Sequence, residues 1–301
     1  TYKRGFMNFF QAIFLGLVQA LTEYLPVSSS AHIRIIGDLM LGSDPGAAFT
    51  AIIQIGTELA VILYFRRDII RILGASVWFP VRQGGQGLQK VALGAHNPDT
   101  QMGWFIILGT MPILIAGLLF KHAIEGSLRN LWITVTVLVL FGVLLWVVDA
   151  RSKQVKTMKE MTWKDALIFG IGQMLALIPG VSRSGGTITF GRAMGYTREA
   201  AVRVSFLMAI PAVFGAGILE AVSAVKDVAA GDAGMFPGWG PTIAAAIVAF
   251  VVGYVVIIGF LKFVSTFSYK AFAIYRIGLA VVVALLLITG VLSPLEAVAA
   301  A

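Results

Sequence analysis

Apolar residues along this chain form long uninterrupted segments separated by short polar stretches. Six of these segments are long enough to cross the ~30 Å hydrocarbon core of a bilayer as helices. The pattern therefore predicts an all-α integral membrane protein with six transmembrane helices. They lie near residues 47–65, 103–120, 130–149, 203–225, 241–261 and 273–292.

Two further apolar segments do not fit a membrane span. Residues 9–27 carry Gln11, Gln19 and Glu23 and end at Leu25-Pro26, whereas residues 166–181 are shorter and end at Pro179-Gly180. Each is followed by small polar residues and a second, weakly apolar piece. Backbone that breaks at membrane depth is tolerated only where it is buried in protein or lines a watery cavity. We therefore predict two re-entrant helical hairpins.

The two predicted hairpins resemble each other in sequence. GLVQALTEYLPVSSSA (16–31) aligns with GIGQMLALIPGVSRSG (170–185). Each is followed by three spans, and because three is odd the second copy is inserted upside down, as in the inverted repeats of many transporters. Chance convergence on Gly, Ser and Pro is the alternative explanation. The aligned pairs are Gly16 with Gly170, Gln19 with Gln173, Pro26 with Pro179 and Ser28 with Ser182. The predicted repeats cover residues 7–150 and 151–301 and form one membrane domain.

Composition agrees with a membrane location. The chain is 58% hydrophobic and 13% charged, whereas soluble domains contain about a quarter charged residues. There are no cysteines, which excludes disulfides, thiol catalysis and cysteine metal sites. The formal net charge of +8 suggests basic cytoplasmic loops more than nucleic-acid binding. Residues 1–6 are interpreted as a cloning remnant and excluded from the fold.

Lys and Arg are distributed unequally between the two sides of the predicted topology. One side holds 16 of the 23 Lys and Arg residues, and the other side, which includes both termini, holds six. Because positive loops face the cytoplasm, the basic side is expected to be cytoplasmic and both termini outside. The basic stretches are 66–101, 150–164, 190–203 and 262–276.

The stretch PGVSRSGGT (179–187) places Arg183 between apolar segments, where an arginine costs at least ~2.5–3.5 kcal/mol. Its planar fork of donors matches phosphate. Gly185 and Gly186 are expected to free backbone amides, and Thr187 to begin a helix whose N-terminus faces the same point. A snorkelling interfacial arginine is the alternative. The pattern favours an anion-binding loop.

Two serines, Ser182 and Ser184, flank this arginine. They could cap and solvate a turn, or contact the anion. Ser182 could also be a nucleophile, but only with a base within reach. The sequence leaves these roles open.

The first hairpin contributes a candidate acid–base pair. Glu23 lies among apolar residues with no cation nearby in sequence, so it is expected to offset Arg183 across the repeat interface unless a bound anion does so. A structural hydrogen bond to the broken backbone is the alternative role for Glu23. Gln19 shares its helix face, and His32, after the polar break, is a candidate for proton transfer. Glu58, within a span, is expected to face the bundle without a catalytic role.

These motifs resemble a known family. QALTEYLPVSSSAH (19–32) and PGVSRSGGT (179–187) are similar to the two signature regions of the undecaprenyl-pyrophosphate phosphatase family, known for bacitracin resistance. The resemblance covers nearly the whole chain from Met7. It implies a membrane enzyme that hydrolyses a C55 isoprenyl diphosphate to its monophosphate and so recycles the lipid carrier of cell-wall synthesis.

The resemblance also implies site residues and a divalent cation, Mg²⁺ or Ca²⁺. Some family members have a second carboxylate where this chain has Gln19, and a hard cation prefers several charged oxygens. Glu23 and Gln19 alone would bind it weakly, so the diphosphate is expected to supply most ligands. The implied catalytic residues are Glu23, His32, Ser182 and Arg183. The expected phosphate contacts are Ser28, Ser29, Ser30, Arg183, Ser184, Gly185, Gly186 and Thr187.

The resemblance thus implies a phosphatase of the bacterial inner membrane that binds an isoprenyl diphosphate lipid at a site opening outward. Either water or Ser182 could attack the phosphorus. A transporter or flippase of a phosphorylated lipid is the alternative, since it also needs an anion site but no acid–base pair. A structural scaffold explains neither buried charge. No nucleic-acid partner is expected, and a homodimer is one expected assembly.

Overall fold

The computed structural model describes residues 7–75, 97–229 and 236–295, and within these ranges the chain is helical without a β-strand. The predicted remnant 1–6 and part of the basic stretch 66–101 lie outside them. The helices are α1 Phe9–Glu23, α2 Ser29–Leu41, α3 Ala47–Tyr64, α4 Arg66–Leu73, α5 Pro98–Leu119, α6 Lys121–Glu125, α7 Leu131–Arg151, α8 Trp163–Met174, α9 Arg183–Ala193, α10 Arg198–Ala229, α11 Trp239–Thr266 and α12 Lys270–Ile288.

Five helices in the described ranges, α5, α7, α10, α11 and α12, are long and apolar enough to cross a membrane. A sixth candidate span is formed by α3 and α4 together, which meet at a bend of 77°. These helices correspond to the six apolar segments of the sequence. The multi-pass, all-helical architecture is therefore confirmed.

The two segments that do not fit a span form broken helix pairs. The first pair, α1 and α2, is interrupted after Glu23, and the second, α8 and α9, is interrupted after Met174 by a short 3₁₀ turn. Ser28 and Ser182 are the N-caps of α2 and α9, and both have φ of 71°. A non-glycine residue in this left-handed region costs about 1–3 kcal/mol and persists where its surroundings fix it. At both breaks, therefore, a serine with positive φ caps the helix that follows.

Each broken pair packs against a long helix of the other half of the chain. A Cβ on Gly16 of α1 would lie 2.5 Å from the Ala245 carbonyl oxygen of α11, and a Cβ on Gly170 of α8 would lie 2.3 Å from the Gly109 carbonyl oxygen of α5. Only glycine permits such close backbone approach. The two glycines are equivalent in the sequence alignment, and so are the contacts they make.

Two arginines counted among the basic loops lie instead in the protein interior. Arg192 is fully buried in α9, and its Nε is 2.8 Å from a carboxylate oxygen of Asp149. Arg276 is fully buried in α12. The sequence assigned both to loops because they lie near the predicted ends of apolar segments. The other cations of the basic stretches still outnumber those on the opposite side.

The orientation can be tested with two cysteines that flank α7, because the chain has none of its own. Val155, which is 71% exposed, follows α7 on the basic side, and exposed Ser127 precedes it. We expect a membrane-impermeant maleimide to label Ser127→Cys in intact cells, and Val155→Cys only after permeabilisation. Labelling of both positions in intact cells would contradict the predicted topology.

Candidate active site

The two breaks meet around Arg183, the first residue of α9. Its Nη2 lies 2.8 Å from Oε1 of Glu23 at the end of α1 and 2.7 Å from Oε1 of Glu58 within α3. The Glu58 contact is a charge contact rather than a well-aligned hydrogen bond, since both Glu58 oxygens are without a hydrogen-bond donor in the described part of the chain. The expected pairing of Arg183 with Glu23 is confirmed, and Glu58 is an additional partner.

The carboxylate of Glu23 is held from both sides. Its Oε1 accepts from Arg183, while its Oε2 accepts from Nε2 of Gln19 at 2.6 Å and from Oγ of Ser29 at 2.6 Å. Glu23 is 5% exposed and Gln19 is fully buried. Three donors, one of them positively charged, therefore fix the carboxyl group at the end of α1, next to the break.

Glu58 reaches this cluster because α3 is anchored against the end of α1. The hydroxyl of Tyr24, directly after α1, donates to the carbonyl oxygen of Thr57 at 2.6 Å. Tyr24, Thr57 and Glu58 are all fully buried. This contact fixes the depth and rotation of α3 next to Glu58, so that the Glu58 carboxyl group meets Arg183.

The serines form two short hydrogen-bonded pairs. Oγ of Ser28 lies 3.2 Å from Oγ of Ser30, and Oγ of Ser182 lies 3.1 Å from Oγ of Ser184. Ser184 also donates to the carbonyl oxygen of Leu25 at 3.0 Å, which joins the second break to the first. In the described part of the chain, neither a carboxylate nor a histidine is hydrogen-bonded to Ser182. A base that could activate its hydroxyl is thus not in contact with it.

The backbone of α9 corrects the expected roles of the glycines and the threonine. The helix begins at Arg183 rather than Thr187, so the amide of Gly185 donates to Oγ of Ser182 and the amide of Gly186 to the carbonyl oxygen of Ser182. The Thr187 hydroxyl donates to the Arg183 carbonyl oxygen. These donors are used by the helix itself, because a helix satisfies its own amides from the fourth residue onward.

The backbone amides of Arg183 and Ser184, in the first turn of α9, remain available to a ligand. They have no acceptor within the described ranges, as expected for the first residues of a helix. The glycines serve close packing instead: a Cβ on Gly186 would lie 2.2 Å from the Gly172 carbonyl oxygen of α8.

His32 lies one turn into α2 and is 6% exposed. Its Nδ1 is 2.7 Å from the Ser28 carbonyl oxygen, and its Nε2 is 2.6 Å from the hydroxyl of Tyr275 in α12. Because a carbonyl only accepts, Nδ1 carries the proton, and Nε2 of the neutral ring accepts from Tyr275. The structure therefore links His32 to Tyr275, and the described contacts do not link it to Glu23.

Arg276 connects both breaks. Its Nη1 donates to the carbonyl oxygens of Pro26 at 3.1 Å and Val181 at 3.0 Å, and its Nη2 donates to that of Gly180 at 2.6 Å. Its Nε donates to the Leu138 carbonyl oxygen of α7 at 3.2 Å. Broken helices leave carbonyls without amide donors, and in a membrane these must be satisfied internally. A single guanidinium does so for both breaks.

A cavity of about 300 Å³ adjoins the two breaks. Ser30 of α2, Pro179 of the second break and Gln54 of α3, one turn before Glu58, belong to its wall. The wall also includes residues from the less basic side of the predicted topology, among them Asp44, Arg129 and Glu220. The cavity therefore joins the breaks to that side of the protein.

Comparison with known proteins identifies the family. The profile described as "Bacitracin resistance protein BacA" matches residues 12–282. The chain belongs to this family. It is 88% identical to the undecaprenyl-diphosphatase of Bifidobacterium adolescentis over 98% of this chain and 100% of that protein. It is 75% identical to that of Bifidobacterium animalis subsp. lactis (97% and 98% covered) and 53% identical to that of Pseudarthrobacter chlorophenolicus (95% and 100% covered).

The sequence analysis directed Glu58 to the bundle without a role at this BacA-family site, and it missed the roles of Tyr275 and Arg276. Glu58 and Arg276 carry a usable signal, because an ionisable residue within a membrane span marks a functional site by default. Tyr275 carries none, since tyrosine is common near the ends of apolar helices.

We expect Arg276→Met to destabilise the purified protein strongly. It leaves the carbonyl oxygens of Pro26, Gly180 and Val181 without a donor, at about 1–3 kcal/mol for each buried unsatisfied group. The thermal midpoint in detergent should fall by far more than in the control Arg151→Met, which removes an exposed arginine. Equal midpoints for the two variants would show that Arg276 does not hold the breaks.

Proposed function

We propose that this protein hydrolyses undecaprenyl diphosphate to undecaprenyl phosphate and inorganic phosphate. The reaction recycles the lipid carrier of peptidoglycan synthesis and confers bacitracin resistance. The observation that carries the proposal is the state of Arg183: its Nη2 is taken by two carboxylates, while its Nη1 is buried without an acceptor in the described part of the chain. A buried guanidinium nitrogen that lacks an acceptor is a donor for phosphate.

The phosphate contacts follow from the donors that remain at the breaks. Within the described ranges, Arg183 Nη1 and the amides of Arg183 and Ser184 face no protein acceptor. There the hydroxyls of Ser28 and Ser30 bond only each other and can turn toward a ligand. Ser29, Ser184 and Thr187 have their hydroxyl protons bound to other groups, so their part is to fix the site. A diphosphate would lie at these donors while its isoprenyl tail stays in lipid.

The residues also fit a divalent cation such as Mg²⁺ or Ca²⁺. Hard cations take oxygen ligands, and in the described part of the chain the Oε1 atom of Gln19 is buried without a hydrogen-bond donor, beside the carboxylate of Glu23. No group of three or more His, Asp or Glu suited to a metal occurs in the described ranges. Glu23 and Gln19 would therefore hold the ion together with diphosphate oxygens. The bound ion would neutralise charge on the diphosphate.

Direct attack by water is the route that these contacts favour. Ser182 accepts from the Gly185 amide and is hydrogen-bonded to Ser184, with no base in contact, so it is poorly placed as a nucleophile. Glu23 would accept the proton of the attacking water, since its carboxylate lies next to Arg183, which binds the phosphate. His32 would be a second proton acceptor, because its neutral ring carries its one proton on Nδ1 and its Nε2 is an acceptor. Arg183 would stabilise the negative charge that develops on the departing undecaprenyl phosphate.

We further propose that the two broken pairs are re-entrant hairpins of an inverted repeat in a bacterial inner membrane. The equivalent strained serines, the equivalent glycine contacts and the shared Arg276 support this arrangement. Basic loops would face the cytoplasm and both termini the outside. The cavity beside Ser30 would then admit the diphosphate from outside.

Arg183→Ala should reduce phosphate release from undecaprenyl diphosphate by ~10²–10³, the loss typical of one preorganised donor. Arg183→Lys should recover little, because an ammonium does not reproduce the planar fork. Phosphate release by the purified protein in detergent is the measurement, with Arg151→Ala as the control. Retention of more than about a tenth of the activity in Arg183→Ala would refute the phosphate site. Absence of release by the unmutated protein would refute hydrolysis and favour lipid transport.

Ser182→Ala should reduce turnover by less than about tenfold, because a hydrogen-bonding contact contributes about 0.5–1.5 kcal/mol. Acid quenching during turnover should yield no phosphorylated protein. A near-complete loss together with a trapped phosphoserine that is absent from the variant would instead establish Ser182 as the nucleophile.

A further inference from the structure

We infer that Glu58 supplies the second carboxylate of the cation-binding pair, the carboxylate that the first motif lacks at Gln19. This inference rests on the proposed function. Glu58 is fully buried in α3, and its Oε1 shares the Nη2 nitrogen of Arg183 with Glu23. Both carboxylates thus contact the same nitrogen, although Glu23 lies in α1 and Glu58 lies in α3.

One guanidinium, that of Arg183, lies between the carboxyl groups of Glu23 and Glu58. No other Lys, Arg or His contacts either carboxyl group in the described part of the chain. When both are ionised, their two negative charges exceed the one positive charge of Arg183, and a buried charge without a partner costs several kcal/mol. A divalent cation would stabilise both carboxyl groups in the ionised form, and it would also offset the negative charge that the substrate brings.

The oxygens around this excess charge have the chemistry of hard-cation ligands. Oε2 of Glu58 and Oε1 of Gln19 are buried without a hydrogen-bond donor in the described ranges, and Oε1 of Glu58 has only its charge contact with Arg183. Nε2 of Gln19 donates to Glu23, so its Oε1 belongs to the same cluster. Buried acceptors without donors are rare and costly, and here they surround a negative charge. A divalent cation would supply both positive charge and a partner for these oxygens, whereas a neutral hydrogen-bond donor would supply only the partner.

The position of Glu58 explains how a chain with Gln19 keeps a cation site. The amide of Gln19 offers one neutral oxygen, which binds a divalent ion less strongly than a carboxylate. Because Tyr24 anchors α3 against the end of α1, Glu58 approaches the same point from another helix. The site would then contain two carboxylates, one amide oxygen and the oxygens of the diphosphate.

The test removes the carboxylate of Glu58 from α3 and places one at position 19 of α1 instead. Binding of Mn²⁺ alone to purified protein in detergent is measured by electron paramagnetic resonance of the free ion. Glu58→Gln should weaken binding by at least about tenfold, since even loss of an outer-shell partner costs ~10–100-fold. The double variant Gln19→Glu/Glu58→Gln restores two carboxylates and should recover most of the affinity. Glu199→Gln, at an exposed glutamate, should bind like the unmutated protein.

Equal Mn²⁺ affinity in Glu58→Gln and the unmutated protein would overturn the inference, as would a double variant no better than Glu58→Gln. If Glu58→Gln does not fold, as judged by its thermal midpoint, Glu58→Asp keeps the charge with a shorter reach and should bind Mn²⁺ measurably. Lack of binding by a folded Glu58→Asp together with normal phosphate release would again overturn it. Failure of the proposed function is seen separately, as absence of phosphate release by the unmutated protein whatever its Mn²⁺ affinity.

Discussion

The contact of Arg183 with Glu23 and Glu58 is the interaction on which the rest of the site depends. A guanidinium at this depth is unstable unless carboxylates meet it, and removal of one partner of a buried pair typically costs 3–5 kcal/mol. The partners come from α1 and α3, whereas Arg183 begins α9, so the ion cluster fixes three helices from different parts of the chain at one point. The same contact leaves one guanidinium nitrogen for a ligand.

The helix breaks that create this point carry their own cost. Each break frees carbonyls in the protein interior and holds a serine at positive φ. Arg276 satisfies the freed carbonyls of both breaks, and Ser184 bonds across them to Leu25. Two of the three non-glycine residues with positive φ in the described ranges, Ser28 and Ser182, therefore lie where a phosphate would bind. This is the pattern expected when backbone irregularity serves a site.

Sequence reasoning predicted the spans, the two breaks and the partner of Arg183, because each follows from hydropathy or charge along the chain. It directed Glu58 to the bundle without a role and counted Arg276 in a basic loop, because the importance of both depends on which face of a long helix meets the breaks. Periodicity is weak in helices that are apolar all round. The amides of Gly185 and Gly186 were assigned to phosphate because the start of α9 was placed at Thr187 instead of Arg183, and a shift of one turn changes which amides are free.

The central claim is that the two breaks act as one phosphate-processing unit through Arg183 and Glu23. A double-mutant cycle on turnover of undecaprenyl diphosphate tests it most directly, with Glu23→Gln, Arg183→Ala and the two combined. If the residues act as a unit, the double variant should be about as slow as the slower single variant. Losses that multiply would show that the two residues act independently, and would contradict this account of the site.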